Sequence, residues 1–438
     1  MNNFLVFAVL ILLYLILMHK AGKSYPILYL FAFTYYLQYI FSTYLIYNVY
    51  KDLSFQMPIK KEAYFDYAIP ALLFLFAGVF LFHKNTPVTD TIRRIDPKQA
   101  SRLGYLLLSI SLGIDFLTFV GLPLSSIASF TGNLKYLAAF CFLFSGALVD
   151  YLLLGIIYLE LTYVVFRTGV FVSLFVWGLY LFFFISIKYE IKFWLRLAVF
   201  AAFIPVLLAI QSVKDEYRKA TWRGKQEAGL PLFSDLVEKK RVKDADNPFA
   251  ETDGVVRTIG RLTEGWHLGL VLKHVPKRED YAYGKEIQGD IISSILPRLL
   301  VEDKKSVNSQ EKFYKYTGHK LRGSTSMSIG LIGDFYVNFG RWGSYISLFV
   351  FGLLISKMIQ LFTTKFVLRD PINIIWIPFI LSYLIRANND FYIFFNCLVK
   401  SFFIFILIDY LRFNVLGEKR NQPLWRKDSL GLNLPRSH

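Results

Sequence analysis

Gln211-Ser-Val-Lys-Asp-Glu-Tyr-Arg218 opens the one long polar interval of this chain, and Ser324-Thr-Ser-Met-Ser-Ile-Gly-Leu-Ile-Gly-Asp-Phe-Tyr-Val-Asn-Phe-Gly340 closes it. Apolar segments flank the interval on both sides. Whatever chemistry the protein performs, most of the groups able to perform it lie between these two motifs. The 438 residues are 55% hydrophobic, 18% aromatic and only 18% charged, with a mean hydropathy of +0.43. A soluble domain carries about a quarter charged residues. Repeated apolar runs here approach the ~20 residues that cross a bilayer. The composition therefore predicts an all-α polytopic membrane protein with about 10–12 transmembrane helices and one large extracytoplasmic loop.

Ten spans are expected, at about 3–18, 26–47, 67–82, 104–121, 137–165, 169–187, 194–210, 342–362, 372–387 and 391–411. This divides the chain into N-terminal spans (1–211), the loop with the reactive groups (212–340), C-terminal spans (341–411) and a basic cytoplasmic tail (412–438). Short basic loops set orientation. Arg412, Lys419, Arg420, Arg426, Lys427 and Arg436 put the tail inside, and Lys365, Arg369, Lys188, Lys192 and Arg196 agree with it. The polar interval then falls outside. One loop dissents: a strict count leaves Lys84, Arg93, Arg94, Lys98 and Arg102 on the outer side, against the charge rule.

The formal net charge of +17 belongs to membrane-flanking lysines and arginines that meet anionic lipid, and no nucleic-acid partner is read from it. Cys141 and Cys397 lie in apolar runs and imply no disulfide framework. The histidines are scattered and are read as offering neither His-x-x-His nor Glu-x-x-His spacing, so neither a metal nor a cofactor is expected.

Inside the interval, 22 Lys and Arg face 17 Asp and Glu between Gln211 and Gly330. Lys214, Arg218 and Arg223 follow a membrane exit. Arg257 and Arg261, four apart, share one face of a helix expected over Gly254–Leu272, and Arg298 and Arg322 come later. A guanidinium is a rigid fork of donors that matches phosphate oxygens and stays charged. Two other readings stand beside this one: snorkelling for Lys214 and Arg218, and pairing of Arg257 and Arg261 with Asp253 and Glu264. His267, close to the arginine pair, is the candidate base, with His319 a second. A helix is expected over Gln288–Leu300, and residues 302–323 read as a polar, mobile stretch. In the closing motif the glycines around Asp334, Tyr336 and Asn338 allow close backbone approach or re-entry into the membrane. An ordinary helix-packing seam has the same pattern. Asp150 and Glu160, set in apolar runs, would suit a proton or cation path.

Taken in order, these elements resemble something known. They are Gln211-Ser-Val-Lys-x-x-Tyr-Arg218, Arg261 before a helix, Val275-Pro276, Tyr281-x-Tyr-Gly284, Ile295-Leu-Pro-Arg298 with Lys304-Lys305, and the closing Gly333-Asp-x-Tyr-x-Asn-Phe-Gly340. The series is similar to bacterial oligosaccharide repeat-unit polymerases of the Wzy type, relatives of O-antigen ligases, over roughly Gln211–Leu361. The resemblance implies a GT-C-like, metal-independent glycosyltransferase of the bacterial inner membrane. Such an enzyme moves a growing glycan from undecaprenyl pyrophosphate to the non-reducing end of a lipid-linked repeat unit. Its partners would be that lipid-linked oligosaccharide, membrane lipid and a chain-length regulator protein. Carried over residue by residue, Arg218 and Arg261 match positions where such families keep arginine, Arg298 sits in the Pro-Arg element, and His267 takes the place of the base. A ligase using another acceptor and a flippase for lipid-linked oligosaccharide are the alternative functions.

Overall fold

The computed structural model describes residues 3–48, 56–83, 89–122, 130–223, 227–245, 259–260, 262–296, 310–321, 323 and 326–418. Within them the chain is helical, with no strand. Helices α1 (Asn3–Lys20), α2 (Ile27–Tyr35), α3 (Ser42–Asn48), α4 (Lys61–Phe80), α5 (Pro97–Phe119), α6 (Leu134–Ser145), α7 (Leu148–Thr168), α8 (Val172–Lys188) and α9 (Phe193–Arg218) precede the polar interval. Inside it lie α10 (Leu230–Ala245), α11 (Gly265–His274), α12 (Lys285–Ile295) and α13 (Gln310–Thr317). Then come α14 (Gly330–Phe362), α15 (Trp376–Leu381) and α16 (Phe391–Tyr410).

Among the described residues, six helical segments are long and apolar enough to cross a membrane: Asn3–Lys20, Lys61–Phe80, Pro97–Phe119, Leu148–Thr168, Gly330–Val367 and Phe391–Val415. Shorter apolar helices and the run Ile27–Asn48, which carries a π-helical stretch at Tyr36–Phe41, pack among them. Large apolar side chains point outward as well as inward. Leu148, Leu152 and Leu159 of α7 are exposed, while Ile157, Leu161 and Val165 on the same helix are buried. An apolar outer face is what a lipid solvent selects.

Two features decide the topology. The apolar run read as one span at 137–165 is two helices, α6 and α7, divided at Gly146, whose φ of 77° ends α6 in a left-handed turn. Glycine adopts that conformation without a Cβ penalty, and only Ser145 beside it marks the turn, with no charge between Lys135 and Asp150, so hydropathy runs through it. The extra pass moves the 84–102 loop to the other end of the bundle. There Arg93 pairs with Glu190, close to Lys188, which bonds to the Tyr151 hydroxyl at 2.9 Å. Arg196 donates from Nη1 to the Met18 carbonyl at 2.6 Å on the same end. The dissenting loop thus joins the other basic loops, and the strict ten-span count is corrected.

α4 and α14 run side by side in van der Waals contact of their backbones. A Cβ on Gly78 would stand 2.0 Å from the Phe349 carbonyl oxygen, and one on Gly352 2.4 Å from that of Leu75. Close approach of this kind is how small residues bind helices in lipid. α14 is broken at Gly340 (φ 66°, ψ −169°), where the Tyr281 ring fills the space a Cβ would take. Gly340 therefore turns the chain, and the short buried helix before it leads from the polar interval into the bundle.

Candidate functional site

At the end of the bundle opposite the basic loops, three helices of the polar interval dock onto the membrane helices. α11 is seated first. Glu264 donates its backbone N–H to the Gln38 carbonyl at 3.1 Å, and Thr263 and Thr43 hydroxyls meet at 2.9 Å. A Cβ on Gly265 would fall 2.0 Å from Thr43 Oγ1, and one on Gly269 2.9 Å from Pro58. The two glycines, one turn apart, are the face that lets α11 lie against this wall. The single helix expected over Gly254–Leu272 is corrected: residues 259, 260 and 262 are helical, 263–264 are not, and α11 begins afresh at Gly265, while 254–258 and 261 lie outside the described residues.

This seating presents His267. Its Nδ1 stands 2.7 Å from Glu264 Oε2, with side-chain exposures of 17% and 8%. A carboxylate on Nδ1 fixes the ring and leaves Nε2 of the neutral imidazole as the acceptor. Glu264 therefore engages His267. The expectation that the chain has no Glu-x-x-His spacing is corrected: Glu264-x-x-His267 stands in the sequence, and one helical turn brings the two side chains together. Aromatic rings surround the pair: Trp266 lies 5.4 Å from the His267 ring and 5.3 Å from that of His319, and Phe313 is 5.8 Å from His267. The two candidate histidines share one aromatic cluster.

Phe313 belongs to α13, inside the stretch that composition reads as mobile. That reading is corrected for 310–321: Phe313, Tyr316 and Thr317 are buried. α13 also carries Lys312, whose Nζ lies 3.0 Å from Asp334 Oδ2 and 3.5 Å from both Asp290 Oδ2 and Asp390 Oδ2. Asp290 comes from α12, Asp334 from the start of α14, and Asp390 caps α16 by accepting from the Ile393 N–H at 3.0 Å. Asp334 Oδ2 also accepts from the Phe391 N–H at 3.0 Å, while its Oδ1, fully buried, makes no hydrogen bond. Burial on its own lowers the pKa of Lys312, but the carboxylates of Asp334, Asp390 and Asp290 outweigh it and raise the pKa above its ordinary value. Burial and Glu286, which accepts from the Tyr316 hydroxyl at 2.8 Å, raise that phenol. The signal for this cluster is the amphipathic run Gln310–Thr317, too short for a span and masked by its charges.

The remaining candidates fall into four groups. Tyr336 and Asn338 are buried packing groups. The Tyr336 hydroxyl donates to the Val275 carbonyl at 3.4 Å, and Asn338 Nδ2 donates to that of Asp334 at 2.9 Å. The seam reading of the closing motif describes them. Arg218 lies elsewhere, its Nε donating to the Gly169 carbonyl at 2.9 Å and tying the end of α9 to that of α7; half-buried Lys214 precedes it by a turn. Arg257, Arg261, Arg298 and Arg322 lie outside the described residues, as does the side chain of Arg223. Asp150 and Glu160 have separate partners, Tyr105 at 2.8 Å and Lys135.

Residues 75–415 match the model of a domain of unknown function, DUF8712. The chain belongs to that family. The match runs from the second half of α4 to beyond α16 and so contains both the Glu264–His267 pair and the Lys312 cluster. No curated protein and no solved structure matches the chain.

Proposed function

We propose that the protein is a membrane glycosyltransferase that polymerises lipid-linked oligosaccharide repeat units, with the polar interval on the outer face of the bacterial inner membrane. The observation that carries this reading is the Glu264–His267 pair, with Trp266 and Phe313 against His267 and His319 behind Trp266, where the interval meets the membrane helices. Flat apolar walls with a few placed polar groups suit a small ligand such as a sugar ring.

In the proposed step the acceptor hydroxyl attacks the anomeric carbon of the glycan, whose bond to the pyrophosphate oxygen breaks. Nε2 of His267 takes the hydroxyl proton, and Glu264 stabilises the imidazolium that forms. Pyrophosphate is a good leaving group, so the arginines need only stabilise charge, as fixed donors do where water is excluded. Arg223, Arg257, Arg261, Arg298 and Arg322 are the candidates for that role. Membrane-facing grooves would hold the lipid tail.

Deletion from a glycan-producing cell tests the reading. Single-repeat glycans in place of long chains are expected. Long chains stranded on undecaprenyl pyrophosphate would identify a ligase instead, and chains of normal length on their normal acceptor would contradict both.

A further inference from the structure

The end of the bundle away from His267 holds a cavity of about 480 Å³, lined by Gly22, Lys23, Arg93, Glu190, Lys192 and Arg196, with Ile191 and Phe193 completing the wall. Among the described residues lining it are four cations, Lys23, Arg93, Lys192 and Arg196, and one carboxylate, Glu190, which Arg93 engages. Arg196 is only 6% exposed. Its Nη1 donates to the Met18 and His19 carbonyls at 2.6 and 3.4 Å, which caps α1, while buried Nε makes no hydrogen bond. Neutral carbonyls satisfy donors but do not balance the charge; among the described residues no carboxylate pairs with Arg196, and a buried guanidinium without an anion is costly.

The backbone is shaped around this group. A Cβ on Gly22 would fall within 2.1–2.6 Å of three guanidinium atoms, so the glycine is the floor on which Arg196 rests. α9 begins at Phe193, and the positive end of its dipole adds to the field of the side chains. Trp194 and Tyr189, 77% and 55% exposed, flank the cavity. Amphipathic rings of this kind sit at the headgroup level of a bilayer.

We propose that this cavity is a binding site for a phosphate oxyanion at headgroup depth, with Arg196, Lys23 and Lys192 as its ligands. The oxyanion can come from an anionic phospholipid or from free phosphate, and the test separates them. The proposal is independent of the glycan reading.

Full-length protein in neutral detergent is titrated with phosphatidylglycerol, phosphatidylcholine or inorganic phosphate, with binding read by native mass spectrometry and thermal shift. Removing Arg196 also uncaps α1, so the informative variant is K23Q/K192Q, both exposed positions. At about 1 kcal/mol for each basic residue near a membrane surface, the pair is worth about 30-fold. The expected result is preference for phosphatidylglycerol over phosphatidylcholine, weakened about 30-fold in K23Q/K192Q and by added salt. The control K357Q/K365Q, two exposed lysines outside the cavity, should stay within about twofold of wild type. Inorganic phosphate binding with the same dependence on Lys23 and Lys192, and no lipid preference, assigns the site to a free phosphate compound. Equal binding of both probes to wild type and K23Q/K192Q, or a loss matched by the control, overturns the proposal.

Discussion

Glu264 reaches one helical turn along the chain to His267, and the proposed chemistry rests on that contact of 2.7 Å. His267→Ala removes the base and is expected to slow chain extension about 10²- to 10⁴-fold. Glu264→Gln keeps a hydrogen-bond acceptor but loses the charge, and should lower the rate while shifting its pH profile. Extension rates measured on purified variants check this; a full rate in His267→Ala removes the histidine from the mechanism. His267 was legible in the sequence as the histidine near an arginine pair. Its partner was less so, because Glu264 also fitted a solvated helix face facing Arg257 and Arg261. What resolves the ambiguity is tertiary: Gly265 must press against Thr43, and this fixes which way residue 264 turns.

At the scale of elements, the Lys312 cluster joins α12, α13, α14 and α16 through one ammonium and three carboxylates. Lys312→Met leaves the carboxylates uncompensated, and breaking a buried pair in this way costs about 3–5 kcal/mol. A clear drop in melting temperature in detergent is expected, partly restored by adding Asp334→Asn; an unchanged melting temperature would show that the cluster does not hold the interval to the bundle. The pKa of Lys312 is raised above its ordinary 10.5, so its contribution is fully present below that pH and is lost only as pH climbs through the higher folded value. Lys312 should therefore add no pH dependence to melting across the neutral range. Composition could not show this element. Eight residues with Lys312 and Lys315 among them read as a solvated stretch, and only contacts with Asp290, Asp334 and Asp390, distant in sequence, bury the charge.

For the whole molecule, hydropathy and basic loops conveyed the bundle and the common end of Lys188, Arg196 and Lys365. They lost count at Gly146, because a lone Ser145 is too weak a mark in an apolar run where a left-handed glycine turns it back. The corrected pass brings the 84–102 loop to the end that holds Lys188 and Arg196 and leaves the Glu264–His267 pair at the other. That separation suits a protein that takes a lipid-borne substrate at one face. The most direct test uses the purified protein in lipid vesicles with lipid-linked repeat units isolated from cells lacking it. Product length is then read on a gel. A ladder of multiples of the repeat, absent with His267→Ala, is the predicted result; repeat units that stay single with the folded wild-type protein would contradict the assignment as a polymerase.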